Sequence, residues 1–198
     1  MQELALLMES GCGDARDEEF VRLVKLAKAG DAAAFEAIMR LYERRVLLTA
    51  LRLLNRNLED AKDAAQQIFL RLHRSLGQLD ENRHFASWLY RITVNVCRDM
   101  LRARARRSVV SLEEAGAGLV VAAADDTVRN EQRRMIYEAL ATLPERERTA
   151  VVLRDLEGFT TSEAARIMGC SEVTVRSQIS NARLKIRKFV QRRQRRPL

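Results

Sequence analysis

Proline occurs only twice and glycine only eight times in this 198-residue chain. Turn-rich all-β folds and low-complexity chains need far more of both. The three cysteines, Cys12, Cys97 and Cys170, stand far apart with no CxxC pair. That excludes a disulfide framework and a thiolate metal site, and leaves reduced thiols, of which Cys97 and Cys170 read as buried spectators. Histidine occurs only at His73 and His84, and neither a nucleophile elbow nor a phosphate-binding loop is present. The chain therefore reads as no enzyme, with no cofactor. The first twenty residues have no basic start and no long apolar run, so they do not read as a signal peptide. No later stretch is long enough to span a bilayer, and the expected location is the cytoplasm.

What is abundant is alanine, leucine and arginine. Apolar residues make up 47% of the chain and aromatics 5%. An all-α protein with a packed core is expected. The net charge is +8, but it is unevenly placed. Residues 1–20 hold six acids and one base, and residues 21–107 hold 18 bases and nine acids. Residues 108–127 hold four acids and no base, and residues 128–198 hold 16 bases and eight acids. Two basic blocks joined by an acidic connector point to a polyanion met at two places. Basic solvated helices are the blander reading.

Helical periodicity and end signals divide the chain. The spacing predicts a helix over Asp17–Ala29, ended by Gly30, with Asp31 capping the next. That second helix runs to Leu54 with a stripe of Phe35, Ile38, Leu41, Tyr42, Val46 and Thr49. "LEDAKDAAQQIFLRLHRSL" is a third helix, stopped by Gly77. The polar loop "QLDENRH" leads into a fourth, Phe85–Arg107. The expected organisation is a tail at 1–19, a domain at 20–107, a linker at 108–127, a second domain at 128–193 and a basic tail at 194–198. Thr127 reads as an N-cap, and Pro144 as the first residue of a helix ended by Gly158.

"TTSEAARIMGCSEVTVRSQISNARLKIRK", Thr160–Lys188, reads as a helix-turn-helix. Thr161 or Ser162 can cap its first helix. Ala164 and Ala165 allow a close crossing, and Gly169 supplies a left-handed turn. Ser171 caps the second helix. Val175, Ile179 and Ala182 fall at i, i+4 and i+7 and face the core. Arg176, Ser177, Ser180 and Asn181 are then directed outward, where a recognition helix meets base edges. Arg183, Lys185, Arg187 and Lys188 follow as phosphate partners. An ordinary helical hairpin with a basic face is the competing reading.

The fourth helix carries a core stripe of Phe85, Trp88, Leu89, Ile92 and Val96. Beside it runs a second stripe of Arg91, Asn95, Arg98 and Arg102, suited to a nucleic-acid backbone. Trp88 reads as structural. The loop before it could hold an unstacked base. On the third helix Asp60, Asp63, Gln66 and Gln67 cluster. Physically this is equally a protein-docking face or a solvated one whose acids suit the helix dipole.

"DAKDAAQQIFLRLHRSL", "FASWLYRITVNVCRDMLR" and "LPERERTAVVLRDLEGFTTSEAARIMGCSEVTVRSQISNAR" resemble the hallmark segments of bacterial sigma factors. With two domains and a short linker, the chain resembles the extracytoplasmic-function group of the sigma-70 family over about residues 20–190. The resemblance implies sigma region 2 followed by region 4, each a small helical domain. It implies binding to core RNA polymerase, at the beta-prime clamp helices and the beta flap, and to promoter DNA. Region 2 would recognise and melt the −10 element, and region 4 would read the −35 element. The linker would run toward the RNA exit path, and an anti-sigma factor is an expected partner.

Carried across, Asn95 matches the asparagine that meets the melted −10 strand. The loop residues Asp80, Asn82, Arg83, His84 and Phe85 match the segment that shapes the flipped-base pocket. Asp60, Asp63, Gln66, Gln67 and Phe69 match the segment that docks on the clamp helices, although Gln67 stands where the family usually has glutamate. Arg154 matches a basic residue near the −35 backbone, and Arg176 and Ser177 match a "TVRS" signature. Ser180 and Asn181 lie at positions that vary in the family. Asp99 would repel phosphate and is given no DNA role. A stand-alone helix-turn-helix regulator and a helical adaptor are the alternatives.

Overall fold

The computed structural model describes residues 13–79, 84–110 and 127–194. Among them every regular element is helical. In chain order these are α1 (Gly13–Lys28), α2 (Ala32–Leu53), α3 (Leu58–Ser75) with a short 3₁₀ turn (Leu76–Gln78), and α4 (Phe85–Val110). They continue as α5 (Thr127–Ala141), α6 (Glu145–Val151) with a wide π turn (Val152–Leu156), α7 (Thr161–Met168) and α8 (Glu172–Gln194).

Local signals set most boundaries. Asp31 caps α2 by accepting from the Ala33 and Ala34 amides, after Gly30 turns the chain at φ +96°. Between α2 and α3 the "NRN" break places Asn55 and Arg56 at positive φ, and Asn57 then caps α3. Other ends differ from expectation. The first helix begins at Gly13, α4 continues to Val110 into the expected linker, and α8 continues to Gln194 into the expected tail. Pro144 is the cap itself, extended at ψ 150°, and the helix starts one residue later. The rest of the expected linker, residues 111–126, lies outside the described residues.

The N-terminal domain packs α2, α3 and α4 against one another, with α1 across α2. Ile38, Val46, Ile68, Leu72, Leu89 and Val96 form its centre. Leu41 was expected in this stripe but is 58% exposed. Phe20, Tyr42, Phe85 and Trp88 form a chain of tilted and edge-on ring contacts 5.2–6.2 Å apart. Cys97 is buried, and burial pushes its thiol up to about 12, as a spectator thiol requires.

The C-terminal domain packs α6 and α7 on α8, and Leu153, Ile167, Val175 and Ala182 are buried there. The two domains also pack on each other. α4 lies against α7, and α2 lies against α6 and the π turn. This explains a discrepancy on α4. Tyr90, Thr93, Val94 and Cys97 are buried along with Phe85, Leu89 and Val96 of the expected stripe, whose Trp88 and Ile92 are half-buried, because a second face of the helix is covered.

Candidate nucleic-acid interface

The helix-turn-helix is built by local bonds at each corner. α7 is capped by Thr160, one residue before the expected Thr161 or Ser162. The Glu163 amide donates to the Thr160 hydroxyl oxygen, and the Thr160 amide donates to the Glu163 carboxylate at 2.8 Å. The competitor positions lose because only Thr160 has Glu three residues on. Gly169 ends the helix at φ +66°, and the Cys170 amide closes the turn onto the Ala165 carbonyl. Ser171 then caps α8 by accepting from the Thr174 amide.

Glu163 links this cap to pH. The Thr160 amide, and next the Thr160 hydroxyl, hold its carboxyl below the ordinary range. A depressed folded pKa contributes stability that is complete above the unfolded value of about 4.3 and disappears as pH falls through the folded value. Thr160→Ala is expected to cost about 1 kcal/mol at pH 7. Glu163→Gln is expected to remove part of the loss seen in thermal melts between pH 6 and pH 3. A melt whose pH dependence is the same in wild type and Glu163→Gln contradicts this.

Val175, Ile179 and Ala182 are buried, and Arg176, Ser177, Ser180 and Asn181 are exposed on the opposite face of α8, as their spacing predicts. Arg176 donates to Glu172 at 2.7 Å in an exposed i,i+4 pair. Such a pair is worth only about 0.3–0.5 kcal/mol, so a base edge can displace it. Arg183 is held more firmly, by two bonds to Asp155 on the π turn at 2.8 and 3.2 Å. Lys185 donates at 2.6 Å to Glu147, whose side chain is buried. Its ammonium is thus the counter-ion of a buried carboxylate before it is anything else. Arg154, Arg187 and Lys188 are exposed. Sequence reasoning missed Val173, which is 71% exposed at the start of the recognition helix. Its signal was an apolar residue outside the Val175–Ile179–Ala182 stripe.

On α4, Arg91, Asn95 and Arg102 lie exposed. Arg98 is drawn aside, its Nε donating at 2.9 Å to Glu145 of the C-terminal domain. His84 is exposed beside the loop, whereas Phe85 is buried among the aromatic rings. Asp80, Asn82 and Arg83 lie outside the described residues. Asp99 pairs with Arg71 at 3.3 Å.

On α3, Asp63, Gln66 and Gln67 are exposed, and half-exposed Leu70 extends the same face. Asp60 is paired with Arg104 of α4 at 3.3 Å. Phe69 is buried in the core, so it positions this face rather than presenting itself on it. Among the described residues no cluster of His, Cys, Asp and Glu is arranged to hold a metal, and no helix is long and apolar enough to cross a membrane.

Residues 38–107 match the family model of sigma-70 region 2, and residues 133–186 match that of sigma-70 region 4. The chain is 34% identical over 180 residues to the ECF RNA polymerase sigma factor SigM of Mycobacterium tuberculosis (strain ATCC 25618 / H37Rv), covering 91% of this chain and 89% of that protein. It is 32% identical over 179 residues to the ECF RNA polymerase sigma-E factor of Escherichia coli (strain K12), covering 85% and 93%. Its fold matches CnrH, solved in complex with the cytosolic domain of CnrY, with a TM-score of 0.65 and 25% identity over 86% of this chain and 96% of that one. The two basic domains, the helix-turn-helix and these likenesses agree: the chain belongs to the ECF sigma factors of the sigma-70 family, proteins of promoter-specific transcription.

Proposed function

We propose that the chain binds core RNA polymerase through α3 and reads promoters with both basic domains. The observation that carries this is the helix-turn-helix, whose buried Val175, Ile179 and Ala182 turn Arg176, Ser177, Ser180 and Asn181 outward together. Arg176 can donate twice to guanine, Asn181 can pair with adenine, and Val173 can meet a thymine methyl. Arg154, Arg187 and Lys188 lie along phosphates and add affinity without sequence information. This element reads the −35 sequence.

The exposed Arg91–Asn95–Arg102 face of α4, with the loop before it, takes the −10 element. Asn95 meets the opened strand, and the shift toward open DNA comes from binding it better than duplex. The Asp63–Gln66–Gln67–Leu70 face is polar with one apolar centre, the chemistry of a protein interface rim and core. It docks on the polymerase clamp, with the C-terminal domain on the beta flap. An anti-sigma partner covers the basic faces; the similar CnrH was solved in complex with the cytosolic domain of CnrY.

The test is transcription in vitro: the purified protein, bacterial core polymerase and a pool of promoter fragments, with transcript starts sequenced. Starts at shared upstream elements that require the protein are expected. Sequence-specific DNA binding by the protein alone, with no polymerase binding, would instead favour a stand-alone regulator.

A further inference from the structure

The recognition helix carries a single acid, and it stands at the end that enters the groove. α8 holds seven lysines and arginines, and Glu172 is its one carboxylate. The side chain is 44% exposed, and among the described residues its one polar partner is Arg176, whose Nη2 donates to Oε2 at 2.7 Å. The helix cap is made without it. The Thr174 amide donates to the Ser171 hydroxyl oxygen, and the two hydroxyls lie 2.9 Å apart. Other acids beside α8 are held more firmly: Asp155 takes two bonds from Arg183, and the buried Glu147 takes Lys185.

An acid in the first turn suits the helix dipole, but that contact is weak at an exposed site and is screened by salt. The same carboxylate has to approach a polyanion, which repels it unless a donor waits there. In the major groove the donors are the exocyclic amino groups, cytosine N4 and adenine N6. Adenine places its N7 acceptor beside N6, whereas cytosine presents N4 alone, so a carboxylate is better matched to cytosine. The side chains of Glu172 and Arg176 leave the helix about 6 Å apart along its axis, against a base-pair rise of about 3.4 Å. With Arg176 drawn onto one guanine, the freed Glu172 falls on a neighbouring base pair.

We propose that Glu172 is a specificity residue that accepts from the N4 amino group of a cytosine beside the guanine taken by Arg176. The proposal rests on the reading of α8 as the element that meets the −35 sequence. Binding exchanges one protein pair for two base contacts: Arg176 leaves Glu172 for guanine, and Glu172 takes cytosine. Where guanine or thymine stands instead, the carboxylate has lost its water and its arginine and faces another acceptor. The wrong base is then rejected by repulsion as well as by a missing bond.

The experiment is transcription in vitro by the full-length protein with core polymerase, on promoter fragments randomised across the upstream element, with the transcribed templates sequenced. Wild type is expected to favour cytosine about tenfold at a position next to the guanine whose preference Arg176→Ala removes. Glu172→Ala is expected to level the cytosine position, to leave the guanine preferred, and to raise the use of templates with guanine or thymine at the levelled position. Glu172→Gln keeps the side chain's shape and adds a donor, and is expected to admit adenine there, whose N6 and N7 suit an amide. A cytosine preference unchanged in both variants would overturn the proposal, as would relaxation at a position where wild type prefers any other base. Relaxation confined to the guanine position would also overturn it, by reducing Glu172 to a support for Arg176. Absence of any base preference in wild type would overturn the −35 reading itself, and the role of Glu172 with it.

Discussion

Arg148→Ala is expected to destabilise the C-terminal domain by about 3–5 kcal/mol, each lost bond contributing about 1 kcal/mol or more. Arg148 is 6% exposed, and its guanidinium serves three backbone carbonyls. Nε donates to Leu140 at 3.0 Å, Nη2 to Leu143 at 2.8 Å and Nη1 to Leu53 at 2.8 Å. Leu140 lies in the last turn of α5, Leu143 two residues beyond its end, and Leu53 is the last residue of α2. Carbonyls in the last turn of a helix have no partner within it, and a cation there also meets the negative end of the helix dipole. Burial pulls the Arg148 pKa down, and the nearby Glu145 charge pulls it back. Alanine takes this donor from the buried Leu53 and Leu143 carbonyls, leaves Leu140 with only the Leu143 amide, and opens a void. Arg148→Lys keeps the charge but not the planar fork, and is expected to lose about half as much. Urea denaturation of the full chain, followed by circular dichroism, checks both. A loss below about 1 kcal/mol for alanine would show that water replaces the guanidinium without cost.

Asn95→Ala and Arg176→Ala are expected to impair promoter use at different steps. Each removes a side chain that is exposed in the structure and assigned to a base, and each should cost about 1–3 kcal/mol. Asn95→Ala is expected to leave polymerase binding intact and to lower the permanganate reactivity of −10 thymines. Arg176→Ala is expected to lower occupancy only on templates with the preferred −35 sequence. If Arg176 touches phosphate alone, the loss will be uniform across templates and the salt slope will fall by about one. The sites are on separate domains, so the double variant should lose the sum, about 2–6 kcal/mol, within the usual deviation for independent positions. Reactivity of −10 thymines equal to wild type in Asn95→Ala contradicts its role.

The helix-turn-helix was legible because every signal in it is short-range. Val175, Ile179 and Ala182 are set by the 3.6-residue period, Gly169 by the one backbone conformation the turn needs, and Ser171 by a bond three residues away. Caps were harder where candidates adjoin. Thr160, Thr161 and Ser162 all accept hydrogen bonds, and the reciprocal bond to Glu163 selects the first. The π turn left no periodic trace, because widening a single helical turn changes no residue type. Leu41 matches its helical stripe yet faces outward, since the neighbouring helices do not extend over it.

By itself the sequence determined the helices, the two basic blocks, the family and the outward set on α8, because these follow from local spacing and composition. Tertiary structure decided what α4 buries, which cations are engaged and what Glu157 does. Tyr90, Thr93, Val94 and Cys97 are covered by a domain that starts well beyond the end of α4, and no period within α4 records that. Glu157 meets Thr49, Arg52 and Tyr90 from positions 67 to 108 residues away. A glutamate before a helix-ending glycine looks like surface until the π turn swings it against the other domain, where desolvation makes its partners obligatory.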